Sequence, residues 1–160
     1  MTRRGRTVTP VDPALVLAML RLTLGTLFVW VFFENLGKDL YTPQGYAGLI
    51  RYYIENGTAP AAWKAVMSFM AGNARIAAPL QAVMEIGIGV LLVLGLLTRL
   101  AAAGAFALLT SLWVSEWGTA WIWELLLPMT VALGLGLGGA GRRVGLDALL
   151  ARRYPDVPLW

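Results

Sequence analysis

Four apolar runs leave this chain few ways to fold. The first covers residues 14–33, twenty residues interrupted by a single charge, Arg21. As a helix it is about 30 Å long, enough to cross the hydrocarbon core of a bilayer. Three more runs follow at residues 76–97, 100–117 and 121–138. The junctions between the last three are so short that they force antiparallel hairpins. The expected fold class is therefore all-α, an integral membrane four-helix bundle. Composition agrees, with 58% hydrophobic and 14% charged residues against about 45–50% and about 25% in soluble domains. Residues 1–160 read as one domain ending in a basic cytoplasmic tail, 142–160. The first run is too long for a signal-peptide core and no small-residue cleavage site follows it, so it reads as a retained helix.

The net charge of +4 is a matter of topology and not of nucleic-acid binding. Arg3, Arg4, Arg6, Arg99, Arg142, Arg143, Arg152 and Arg153 fall on one side if four helices alternate. The other side carries only Lys38, Arg51, Lys64 and Arg75, spread over a longer loop. The richer side is expected to be cytoplasmic, with both termini there, in a plasma or inner membrane. Trp30, Trp117, Trp121 and Trp123 then fall near the opposite interface, as an aromatic belt does.

The long connection from Glu34 to Arg75 has its own patterns. Tyr46, Leu49, Ile50, Tyr53 and Ile54 recur at helical spacing before Gly57. Trp63, Val66, Met67 and Met70 do so between Pro60 and Gly72. Both patterns are too short to span. They predict two amphipathic helices in the first extracytoplasmic loop, either as a lid over the bundle or as a plain outer cap.

There is no Cys and no His. That excludes zinc, haem and iron–sulfur sites ligated by these residues, and no metal site is expected. A formal dinucleotide-binding pattern at Gly134, Gly136 and Gly139 is rejected, because the glycines end a membrane helix and no strand precedes them. Helix termination and close packing through Gly134 and Gly138 are the expectation. Pro128 is the one interior kink site noted. Leu146 to Arg153 reads as a basic amphipathic segment resting on anionic headgroups.

Ionisable residues inside apolar helices are functional candidates by default. Arg21 and Glu85, placed by depth from level inner edges, are expected to interact inside the bundle, either to fix helix register or to hold a ligand headgroup or relay a proton. At the outer ends, Glu34 and Lys38 share a helical face. Glu116 and Glu124 flank the last hairpin, with Trp113, Trp117, Trp121 and Trp123 around them. Gathered beneath a lid, these groups suit a ring-shaped amphiphile such as a quinone. The alternative is solvated helix ends with interfacial tryptophans.

The same residues carry a resemblance. Arg21-x3-Gly25-x2-Phe28 with Gly37-Lys38, then Glu85 with Gly95-Leu-Leu-Thr-Arg-Leu100, then Gly139-Ala-Gly-Arg-Arg-Val-Gly-Leu-Asp147 resemble the motifs of the DoxX/DoxD family. The resemblance implies a four-helix membrane protein linked to thiosulfate:quinone oxidoreductase, or to oxidoreductase assemblies with soluble sulfur-handling and superoxide-removing partners. If the chain is such a quinone-linked subunit, the polar and tryptophan clusters supply the candidate site residues: Glu34, Lys38 and Glu124 in catalysis, and Arg21, Glu85, Glu116, Trp113, Trp117 and Trp121 in binding a quinone. Lys38 or Arg21 would stabilise negative charge on the reduced ring. The competing reading is an anchor that recruits soluble oxidoreductase or sulfurtransferase partners through the basic tail. A small transporter is a third. Small residues at Ala101, Ala102, Ala103, Gly104, Ala105 and Ala107 suit either a packed core or a homo-oligomer interface.

Overall fold

The computed structural model describes residues 12–121, 123–142, 144–155 and 157. Arg3, Arg4, Arg6, Pro10 and Arg143 lie outside the described residues. Among those described there are seven helices and no strand. They are α1 (Pro13–Gly37), α2 (Pro43–Asn56), α3 (Ala61–Gly72), α4 (Ala74–Leu94), α5 (Thr98–Ser115), α6 (Trp123–Gly138) and α7 (Leu146–Arg153).

The helix ends follow local chemistry. Asp12 caps α1, accepting from the amide of Ala14 at 3.0 Å, with Pro13 in the first turn. Thr42 caps α2 through the amide of Gly45 at 3.1 Å, again ahead of a proline. Lys64 donates to the carbonyls of Ile54 and Gly57 at 2.7 and 2.8 Å, closing the C-terminus of α2 with a positive charge. Gly95 ends α4 at φ +64. Gly139 follows the end of α6 at φ +62.

Helices α1, α4 and α5 are long and apolar enough to cross a membrane. Only 28%, 33% and 39% of their most apolar windows are buried. Their remaining apolar surface includes Met19, Trp30, Phe33, Ile76 and Val83, and that of α6 includes Leu127 and Leu137, all exposed. Such extensive apolar exposure calls for a lipid solvent.

α1 packs along α4 and α6, and α5 packs along α6 and α4. Their shared core includes Leu24, Phe28, Ile88, Leu92, Leu109, Met129 and Leu135. Ala101, Ala102 and Ala105 are buried in it beside Ala132, so this part of the alanine run serves the core. α2 and α3 fold over the start of α4, burying Tyr46, Ile50 and Met67 against Ala74 and Ala78. The indole N–H of Trp63 then reaches Ser115 Oγ at 2.9 Å and ties α3 to the end of α5.

The structure departs from the sequence expectation at one glycine and one proline. Gly138 packs tightly on Leu17, but nothing approaches the place of a side chain at Gly134, which faces open space. Pro128 is not the only interior proline, since Pro79 also lies within α4.

The α1–α4 register is set by glycine. A Cβ at Gly25 would lie 2.8 Å from the backbone nitrogen of Val93, and one at Gly89 would lie 3.0 Å from that of Val29. Gly25→Leu is therefore expected to destabilise the protein by about 1–3 kcal/mol through overpacking. Unfolding in detergent against the wild type measures it, and an unchanged midpoint would refute this close approach.

Candidate functional site

Three polar groups occupy successive levels of the helices. The lowest surrounds the α4–α5 turn. Here Leu97 sits at φ +48, and α5 has no side-chain cap of its own sequence. Asp147 of α7 supplies one from fifty residues away. Its Oδ1 accepts from the amide of Leu97 at 2.7 Å and its Oδ2 from that of Thr98 at 2.9 Å. Its own amide donates to Gly95 O at 2.8 Å. Asp147 is 1% exposed. Arg21, equally buried, donates from Nη2 to the carbonyl of Val144 and lies within electrostatic reach of Asp147. A Cβ on Gly145 would be 2.9 Å from Gly95 O, so these backbones meet without room for side chains.

Arg21 therefore does not pair with Glu85. The reading that joined them took the inner ends of both helices as level. In the structure, Gly25 lies against Val93 and Gly89 against Val29. That register separates the levels of Arg21 and Glu85 by roughly twelve residues, about 18 Å of helix. The tail segment also has an anchor in the protein, since α7 is pinned by its buried aspartate.

Glu85 belongs to the second group. Its Oε2 accepts from Asn35 Nδ2 at 3.2 Å and from the Tyr41 hydroxyl, and its Oε1 accepts from Gln81 Nε2 at 3.0 Å. Three donors thus converge on a carboxylate that is 2% exposed. Phe32 stacks on Tyr41 with centroids 5.3 Å apart and holds the phenol in place. Glu85 also faces a cavity of about 170 Å³ walled by Phe28, Val31, Leu109, Leu112 and Pro128, with Glu124 at its edge. The sequence carried a signal for Gln81, which is polar and four residues before Glu85 on one helical face.

The third group forms a cavity of about 200 Å³ lined by Thr58, Trp113, Glu116, Trp117, Gly118, Ala120, Trp121 and Leu125. Trp113 and Trp117 meet edge to face at 5.2 Å. The N–H of Trp113 is buried without a partner. Glu116, one residue beyond α5, accepts from the hydroxyl of Tyr53 at 3.0 Å. The amide of Thr58 donates to Trp117 O at 2.6 Å, bringing the α2–α3 connection onto the cavity. Leu125 is common to this cavity and the one facing Glu85.

Burial pushes the Glu116 carboxyl above the usual range and the charge of Glu124 adds to this, while the Tyr53 hydrogen bond opposes it. Burial and the neighbouring Glu116 push the Tyr53 phenol well up. Removing the hydroxyl in Tyr53→Phe should therefore raise the Glu116 carboxyl further. Infrared titration of its carbonyl band measures this, and a midpoint that stays or falls would contradict the assignment. The linkage sign follows: the folded chain keeps a proton that the unfolded chain has released, so this group's contribution to stability falls as pH rises through the Glu116 titration.

Trp113, Glu116, Trp117 and Trp121 thus share one cavity, with Glu124 close enough to act on Glu116 electrostatically. Glu34 and Lys38 pair with each other at 2.8 Å, both about half exposed. Tyr53 and Thr58 complete the site from the α2–α3 side. Neither stood out chemically in the sequence, where Tyr53 marked only a helical face.

A family model described as DoxX matches residues 16–117. The match covers most of α1, all of α2 to α5 and the residues of the tryptophan cavity up to Trp117. No curated protein matches the chain, and no solved structure does.

Proposed function

The chain belongs to the DoxX family, and on that footing we propose that it is the membrane subunit of a quinone-linked oxidoreductase. It crosses the bilayer four times as a bundle, with α2 and α3 as an outer lid and both termini in the cytoplasm. The fourth crossing is α6, an apolar helix of sixteen residues packed on α1 and α5. The cytoplasmic side carries Arg99, Arg142, Arg152 and Arg153.

One observation carries the quinone reading: Trp113, whose buried indole N–H has no partner, lines a cavity together with two further tryptophans and a carboxyl. A buried donor without an acceptor is costly, and a ring carbonyl would satisfy it. The volume of about 200 Å³ suits one six-membered ring, since a cavity of about 150 Å³ holds benzene. A quinone supplies a ring that takes up two electrons and two protons. Trp113 donates to one carbonyl oxygen, and Trp117 and Trp121 offer aromatic surface. Glu116 holds a proton near the ring, and Tyr53 orients that carboxyl. Lys38 has no part in this arrangement because Glu34 holds it, and Arg21 lies at the other end of the bundle. With no Cys or His in the chain to ligate haem or an iron–sulfur cluster, the electrons come from a diffusible carrier, a cofactor held without these ligands, or a partner subunit.

Titration of the purified chain with a short-chain quinone, followed by tryptophan quenching, tests this. Trp113→Phe keeps the ring and loses the donor, and it should weaken binding about tenfold. Equal affinity in the variant would remove the reading's main support.

A second reading has its own observation: α7 is fixed by Asp147 yet leaves Arg152 and Arg153 exposed. Such a rigid basic edge suits docking of soluble oxidoreductase or sulfurtransferase partners. Arg152→Glu with Arg153→Glu should then release co-purifying proteins while the quinone site stays intact. Retention of the same proteins by the double variant would overturn it.

A further inference from the structure

The stretch from Glu34 to Arg75 holds four basic residues, and two of them are committed. Lys38 is paired with Glu34. Lys64 is bound to two carbonyls at the end of α2. Arg51 and Arg75 are different. Both are exposed, and neither guanidinium has a hydrogen-bond or ion-pair partner among the described residues.

These two unspent cations line the same groove. It has a volume of about 490 Å³ and lies between α2 and the α3–α4 junction, with Gln44, Asn73 and Ile76 also on its walls. The groove meets the start of α4, a helix of 21 residues. The amides of Ile76 and Ala77 reach Asn73 O at 2.9 and 3.0 Å. Those of Ala74 and Arg75 have no intrahelical acceptor. Two guanidiniums thus face one space whose walls carry no carboxylate. Below it, α4 turns Ile76, Leu80 and Val83 outward at 70%, 54% and 66% exposure. These positions follow helical spacing and form an apolar track leading down from the groove.

We propose that this groove binds the phosphate of an anionic glycerophospholipid, with the acyl chains lying along Ile76, Leu80 and Val83. Arginine suits the role because its planar fork engages phosphate oxygens in pairs. The apolar track favours a lipid over a soluble phosphate, which would leave Ile76 and Leu80 unused. This site is independent of the quinone cavity and shares no lining residue with it.

The full chain, delipidated in detergent and then offered phosphatidylglycerol or phosphatidylcholine, is examined by native mass spectrometry. The wild type should retain phosphatidylglycerol in preference to phosphatidylcholine. Arg51→Gln and Arg75→Gln should each weaken retention about tenfold, and the double variant should show no preference. Neither guanidinium bonds to the protein, so thermal unfolding of the variants should match the wild type. Undiminished phosphatidylglycerol retention by the double variant would overturn the proposal. So would displacement of the lipid by glycerol phosphate at equal concentration, which would show a soluble ligand.

Discussion

Asp147→Ala is expected to lower the stability of the purified protein by about 2–5 kcal/mol, since two amides lose their acceptor at about 1–3 kcal/mol each. The loss has three parts. The amides of Leu97 and Thr98 lose their acceptor, at 2.7 and 2.9 Å in the intact protein. The left-handed conformation of Leu97 loses the bond that holds it. Arg21, 1% exposed, keeps its charge without the carboxylate that offsets it. Asp147→Asn retains one acceptor oxygen and should lose less. Replacing Arg21 by leucine in the alanine background should recover part of the loss, because no uncompensated charge then remains. Thermal unfolding in detergent measures all three, and a tail that could lose Asp147 without effect would show that α7 merely rests on the bundle. Deleting everything after Gly141 is correspondingly expected to destabilise the bundle and not only to release partners.

Glu85→Ala should have an effect of similar size at the middle of the bundle. It strands three donors, those of Asn35, Tyr41 and Gln81. Each unmet buried group costs about 1–3 kcal/mol, so a total of about 3–5 kcal/mol is expected after partial rearrangement. Glu85→Gln keeps one acceptor oxygen and should cost clearly less. The same unfolding measurement separates the two variants. Equal, small losses for both would mean that water already serves these donors.

The helices were legible because their signals are local. Long apolar runs predict α1, α4 and α5, and proline, glycine and spaced apolar residues predict α2 and α3. The Glu34–Lys38 pair was also legible, since four residues on one helix fix the geometry. Trp113, Glu116, Trp117 and Trp121 lie within nine residues around one turn, so their meeting follows from the hairpin itself. What depended on how helices slide past each other was not legible. The expected Arg21–Glu85 pair assumed level helix ends, whereas Gly25 and Gly89 set the offset through close backbone approach. The cap on α5 comes from Asp147, a contact across fifty residues that no local pattern announces. The resemblance contained its trace, in the glycines 139–145 and the aspartate that follows them. Those glycines partly serve to bring the tail's backbone onto the α4–α5 turn.

The most direct test of quinone binding at the tryptophan cavity is the quinone content of the protein purified from its native membrane in mild detergent. Wild type should carry quinone, while Ala120→Phe, which fills the cavity from an exposed position, and Trp113→Phe should both lose it with their folding intact. The same quinone content in all three proteins would mean that the ring, if held at all, sits elsewhere in the bundle.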